Sequence, residues 1–200
     1  RFNHGDLAGL ERKLQKVPEG TGTMIIVDGV YSMEGDIADV PGLLKVAQKY
    51  GSALAIDDAH SIGVLGPNGD GTAAHYDLVE EVDLIVGTFS KSLASIGGFA
   101  AGSENVIHYL RHHSRPLIFT AALPPANTAG VLAALHVMQG EPERREQLWR
   151  NTRRLQDGMR SLGFDIGPTE TPIVPVLIGP LEKTFLFWRR VFVAGAFTNP

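Results

Sequence analysis

The sequence contains no cysteine. That excludes disulfides, thiolate metal sites and cysteine nucleophiles, and it permits a reducing compartment. No apolar run reaches the roughly 18–20 residues a membrane-spanning helix needs, so this segment is not expected to associate with a membrane, and a cytoplasmic setting is the expectation. There is no long basic run either, and the net charge is −4. The densest basic cluster, Arg144-Arg145 to Arg153-Arg154, is interleaved with acids and amides along a helical pattern. This reads as a solvated helix face, with no nucleic-acid partner implied. The opening Arg1-Phe2-Asn3-His4 is neither an initiator methionine nor a signal peptide, and Phe197-Thr198-Asn199-Pro200 stops without a helix or polar tail. Both ends read as cut from a longer protein. What remains is ordinary globular composition, 44% hydrophobic and 20% charged over 200 residues, enough for one core or for one domain and part of another.

The order of elements points to an α/β fold. Asp6 is a suitable N-cap for a helix that stops at Pro18-Glu19-Gly20. Met24 to Val27 is a short apolar run with β-branched residues, a buried strand. Pro41 to Tyr50 repeats at helical spacing and stops at Gly51. Ala53 to Ile56 is a second strand, ending in Asp57-Asp58, and Asp83 to Phe89 is a third, ending in Ser90-Lys91. Gly97 to Gly102 is a further short strand. Helices follow at about 105–112, 124–139 and 143–162. Ile173 to Ile178 reads as a strand whose internal Pro175 places it at an edge or bulge, and a helix covers about 181–194. The expected domains are 1–150, part of a large domain, and 151–200, a linker helix and the start of a small one.

Strand, helix and strand with polar residues after the strands predicts a mainly parallel sheet with helices on both faces. In such sheets ligands bind beyond the carboxyl ends of the strands, and there fall Ser32, Asp57, His60, Thr88 and Lys91. Each alone has a plain structural reading: a strand-end aspartate caps or turns, a loop histidine packs, and a Ser-Lys pair is solvated. Together they match what pyridoxal 5′-phosphate (PLP) chemistry requires. A lysine must bond the cofactor's aldehyde, a carboxylate must keep its ring nitrogen protonated, and polar groups must hold its phenolic and phosphate oxygens. Other features read as structure only. His112-His113 lacks a third ligand at metal spacing and reads as a helix end. Gly66-x-x-Gly69-x-Gly71 reads as a surface loop, and Trp149 and Trp188 as packing residues.

The runs Asp57-Asp58-Ala59-His60-Ser61-Ile62-Gly63 and Gly87-Thr88-Phe89-Ser90-Lys91-Ser92-Leu93 resemble the α-oxoamine synthases, fold-type I PLP enzymes. So do Val27-Asp28-Gly29-Val30-Tyr31-Ser32-Met33-Glu34-Gly35-Asp36 and Phe119-Thr120-Ala121-Ala122-Leu123-Pro124-Pro125. The opening Phe2-Asn3-His4-Gly5-Asp6 departs from the family's F-x-H-N-D at Gly5, which touches a local turn rather than the chemistry. The resemblance implies the fold-type I large domain plus the beginning of a small α+β C-terminal domain. It implies that Lys91 bonds PLP and later moves a proton and that Asp57 contacts the pyridine nitrogen, with Asp58 the alternative for that contact and otherwise a support for the loop. It further implies that His60, catalytic with Lys91, hydrogen-bonds the phenolic oxygen and helps orient bound substrate, that Ser32 lies near that oxygen, and that Thr88 binds the phosphate. Thr120 would reach the phosphate of a neighbouring subunit, because family sites form at a dimer interface.

The implied reaction condenses an amino acid (serine, glycine or alanine) with an acyl-CoA to give an α-amino ketone, CoA and CO2. Within the family the lysine segment and the ending Gly195-x-Phe197-Thr198-Asn199-Pro200 look most like the serine palmitoyltransferase-like branch. The 8-amino-7-oxononanoate synthases and 2-amino-3-ketobutyrate CoA ligases remain alternatives. Another fold-type I aminotransferase or lyase, or a non-catalytic subunit, stays open as well. By the same resemblance a ring-stacking histidine and a carboxylate-binding arginine belong to segments outside residues 1–200, so these residues alone are expected to bind PLP weakly.

Overall fold

The computed structural model describes residues 1–200. Helix α1 (Leu7–Leu14) is capped by Asp6, whose carboxylate accepts the Gly9 N–H at 2.7 Å. Strand β1 (Met24–Asp28) leads through a loop to α2 (Val40–Tyr50), capped in the same way by Asp39. Strand β2 (Ala53–Asp57), the short α3 (Thr72–His75), a single 3-10 turn and β3 (Leu84–Thr88) follow. Strand β4 (Gly98–Gly102) precedes α4 (Glu104–His113) and the one-turn α5 (Arg115–Ile118). Helices α6 (Pro125–Gly140), α7 (Pro142–Ser161) and α8 (Leu181–Val193) complete the chain.

The sheet runs in sequence order, β1-β2-β3-β4. The first three strands are parallel and β4 returns antiparallel to β3, as the mainly parallel expectation required. The β1–α2–β2 unit fixes the layering. Leu43, Leu44, Val46 and Ala47 recur at helical spacing, and with Leu10 of α1 they meet Ile25, Val27, Leu54 and Ile56 from one face of the sheet. Leu54 and Ile56 are fully buried, each worth about 1.5–3 kcal/mol of transfer free energy. A smaller cluster on that face joins Ile62, Leu93 and Val131 to Phe89, Phe99 and Met138, seating α6 against the turn after β3. The opposite face is open along β1, where alternation leaves Met24 53% and Ile26 66% exposed.

One expected strand is absent. Residues 173–178 pair with no strand; instead Leu177 N–H bonds the Asp165 carbonyl at 2.8 Å. A strand exists only through its partner's ladder, and β-branched composition supplies none. Residues 117–119 close the single turn of α5, which Pro116 favours in its first positions. Helix α7 runs unbroken through residue 150.

A polar seam joins the β1–α2 loop to residues 169–173. The Gly35 carbonyl accepts from Thr171 Oγ1 at 2.8 Å, Glu170 N–H at 3.1 Å and Thr169 Oγ1 at 3.2 Å. Gly35 has φ of +71°, and a Cβ there would lie 2.5 Å from both the Ile173 carbonyl and Thr169 Oγ1, so no other residue fits. The same loop is held from the other side by His4, whose Nε2 lies 2.7 Å from Asp36 and whose ring stands edge-on to Tyr31.

Candidate active site

The parallel strands bring their carboxyl ends to one edge. Asp28 of β1 is in register with Asp57 of β2, about 4.8 Å away across the sheet, and Thr88 ends β3 beside them. Side chains at paired positions share a face, so Asp28 and Asp57 both emerge on the open face. Asp58, one residue on, turns the other way.

That reversal separates the roles of the two adjacent aspartates. Asp57 is half-buried; its Oδ1 accepts the Ala59 N–H at 2.9 Å, and its carbonyl accepts the Gly29 N–H at 2.8 Å. Asp58 is fully buried, its Oδ2 accepts the Thr72 N–H at 3.0 Å, and its Oδ1 has no partner. Burial pushes the Asp58 carboxyl above its ordinary value, against the neighbouring donors of Thr72 and Ser61 that pull it down. Gly71, at φ of +107°, lets the backbone pass where a Cβ would lie 2.2 Å from Asp58 Oδ2. Asp58 thus braces the loop that follows β2, the support role expected of it.

His60 lies three residues beyond Asp57 and is half-buried. Burial, and then the charge of Lys91, push its imidazole below the ordinary histidine value, while Asp28 and Asp57 oppose them. The ring is therefore neutral at pH 7 and offers one N–H and one lone pair. Lys91 is exposed and forms no ion pair. Its loop is fixed on both flanks. Phe89 N–H bonds the Gly97 carbonyl at 3.0 Å, Ser95 N–H the Phe89 carbonyl at 2.8 Å, and Ser92 Oγ donates to the Ile62 carbonyl at 2.6 Å. Ala94, three residues after the lysine, takes φ of +49°, a left-handed conformation that costs a β-carbon residue about 1–2 kcal/mol. Thr88 Oγ1 lies 2.8 Å from Ser90 Oγ, accepts the Ser90 N–H at 3.2 Å and reaches the Gly97 carbonyl at 3.2 Å, so two hydroxyls sit at the start of the lysine loop.

The fold therefore gathers Asp57, His60, Thr88 and Lys91 at one edge. Ser32 lies in the loop after β1, exposed, its hydroxyl without a hydrogen bond. Thr120 is exposed in the segment after α5 and bonds none of the others. The sequence motifs assign Asp28 no role. Burial and then Asp57 push its carboxyl up, while His60 and Lys91 pull it down, so it belongs to the same electrostatic cluster. The signal was available, because Asp28 ends an apolar strand just as Asp57 does.

These donors and acceptors suit a group with an aldehyde, a basic ring nitrogen and a phosphate. Lys91 supplies an uncommitted amine, Asp57 an Oδ2 free of protein partners, and Thr88 and Ser90 the hydroxyls. The family model for aminotransferase class I and II matches residues 1–194. The chain belongs to the aminotransferase class I and II family. Among curated relatives within it, a serine palmitoyltransferase of Sphingobacterium spiritivorum is 47% identical over 200 residues, covering 100% of this chain and 50% of that protein. An 8-amino-7-oxononanoate synthase of Thermoanaerobacter pseudethanolicus is 42% identical over 199 residues, covering 99% and 50%. A solved serine palmitoyltransferase from S. paucimobilis with bound PLP–myriocin aldimine superposes with a TM-score of 0.94 at 35% identity, covering 100% of this chain and 52% of that one. The chain spans about half the length of the curated relatives it matches. Both relatives bear names of the branches singled out from the motifs, and the aminotransferase class I and II fold is the one those motifs implied.

Proposed function

We propose that these residues form the cofactor-binding part of a PLP-dependent acyltransferase that joins an amino acid to an acyl-CoA, serine palmitoyltransferase-like in its substrates. The observation that carries this reading is the convergence of Lys91, Asp57 and His60 at adjacent strand ends. The serine palmitoyltransferase relatives at 47–48% identity support the branch over 8-amino-7-oxononanoate synthases at 40–43%, although one serine palmitoyltransferase relative falls at 42%. PLP, when bound, supplies an electron sink that stabilises negative charge at the amino acid's α-carbon.

The chain's own groups would do the rest. Asp57, whose Oδ2 has no protein partner, would accept from the protonated ring nitrogen and keep that proton on the ring. Lys91 Nζ would hold the cofactor through its aldehyde and would later serve as the group that moves the α-proton. His60 would donate its N–H to the phenolic oxygen, with Ser32 near that same oxygen. Thr88 and Ser90 would donate hydroxyls to the phosphate. Thr120 would serve the partner subunit of a cytoplasmic homodimer, and residues 151–200 would begin the small domain. No helix of the chain is long and apolar enough to cross a membrane.

The test is product analysis of the full-length protein with serine, glycine and alanine against short and long acyl-CoAs. Release of CoA and CO2 with formation of an α-amino ketone from serine and a long-chain acyl-CoA is expected. Conversion of the amino acid to its keto acid, with no CoA released from any pair, would overturn the proposal.

A further inference from the structure

Helix α4 carries His108 and His112 one turn apart, on the same stripe of its surface, and both are exposed. Their ring centroids are 4.3 Å apart with planes inclined at 32°. His112 Nδ1 lies 2.8 Å from the His108 carbonyl oxygen. A carbonyl oxygen only accepts, so Nδ1 carries the hydrogen and the Nε2 lone pair is left facing away from the backbone. Metal-bound imidazoles are oriented in this manner, with one ring N–H tied to a carbonyl and the other nitrogen free to ligate.

We propose that His108 and His112 form a two-histidine site for a borderline transition-metal dication at the carboxyl-terminal end of α4. Histidines at i and i+4 present two ring nitrogens to one ion without distorting the helix. Imidazole donors select Zn2+, Ni2+ or Cu2+ over Mg2+ or Ca2+, which require oxygen ligands. The last turns of α4 also carry the negative end of the helix dipole, which favours a cation, while Arg111 in the same turn opposes it. No third histidine or carboxylate completes a protein cage there, so water fills the remaining positions. His113 is excluded from the pair. Its Nδ1 is likewise tied, to the Tyr109 carbonyl at 3.0 Å, but its ring stacks on Tyr109 along the neighbouring stripe, with centroids 4.2 Å apart and planes at 7°.

The site is independent of the acyltransferase reading, since none of its residues belongs to the Lys91 cluster. Titration calorimetry of the full chain with Zn2+ and with Cu2+ in a non-coordinating buffer tests it. One strong equivalent is expected, weakened by about tenfold or more in His108→Ala and in His112→Ala and unchanged in His113→Ala. Circular dichroism of each variant establishes that α4 is retained. The metal should also raise the thermal midpoint of the parent chain and not that of His108→Ala. Absence of binding to the parent chain, or undiminished binding by a His108→Ala/His112→Ala variant, would overturn the proposal.

Discussion

The packing behind the strand ends can be tested at Gly29. A Cβ built there lies 2.2 Å from Asp58 Oδ1 and 2.2 Å from Thr72 Oγ1. Both atoms belong to fully buried side chains, so neither can swing into solvent. Gly29→Ala must therefore push apart the Thr72 N–H to Asp58 Oδ2 bond of 3.0 Å and the Ser61–Thr72 hydroxyl pair of 2.7 Å. Overpacking costs about 1–3 kcal/mol, and leaving a buried polar group unmatched adds about 1–3 kcal/mol. The sum, roughly 2–6 kcal/mol, is a large share of the ~5–15 kcal/mol that holds a domain folded. Urea unfolding followed by tryptophan fluorescence and circular dichroism measures it. Gly130→Ala is the control: it sits within α6 with nothing within 4 Å of its built Cβ, and helix propensity should stabilise it by about 0.5–1 kcal/mol. If Gly29→Ala unfolds within about 0.5 kcal/mol of the parent chain, the range of ordinary surface substitutions, the argument for a tight Asp58 brace is wrong.

Three further outcomes are expected. Asp58 is raised in the folded state, so the fold holds that proton more tightly than the unfolded chain does. Its stabilising contribution is full below the unfolded value near about 3.9 and is lost as pH rises through the folded value. Asp58→Asn should accordingly gain stability relative to the parent as pH is raised across that window; parallel urea midpoints at every pH would contradict this. His60 is depressed in the fold, so its contribution runs the opposite way. Stability should rise with pH from its folded value up to about 6.5, and NMR titration should find its imidazole below that unperturbed value. In the full-length protein, Lys91→Ala should remove the visible absorbance of the lysine–PLP bond and abolish turnover, with the far-ultraviolet spectrum unchanged. Persistence of that absorbance would assign the bond to another lysine.

The sheet was legible because its signals are local. Apolar runs of four or five residues bounded by aspartate, glycine or proline located every observed strand to within a residue or two, and the side-chain caps at Asp6 and Asp39 marked the helix starts. The run at 173–178 misled because composition reports an aptitude for pairing and not the presence of a partner. The preference for Asp57 over Asp58 at the ring nitrogen came from resemblance; the structure adds that strand alternation puts Asp57 on the open face and Asp58 against Thr72. Asp28 was missed because its significance lies across the sheet, in register with Asp57, and a single sequence does not print cross-strand register.

The seam at Gly35 has a consequence for how mutations there will read. A carbonyl oxygen offers two lone pairs, yet three donors surround this one. Thr169 has one hydroxyl hydrogen and three carbonyls within its reach, those of Gly35, Thr171 and Ile173. The junction is thus oversubscribed on one side and undersupplied on the other, and a spare donor stands ready whenever one is removed. Such a joint tolerates single faults. Its importance to the Ser32 loop would stay hidden from a scan of one substitution at a time and would surface only when Thr169 and Thr171 are lost together.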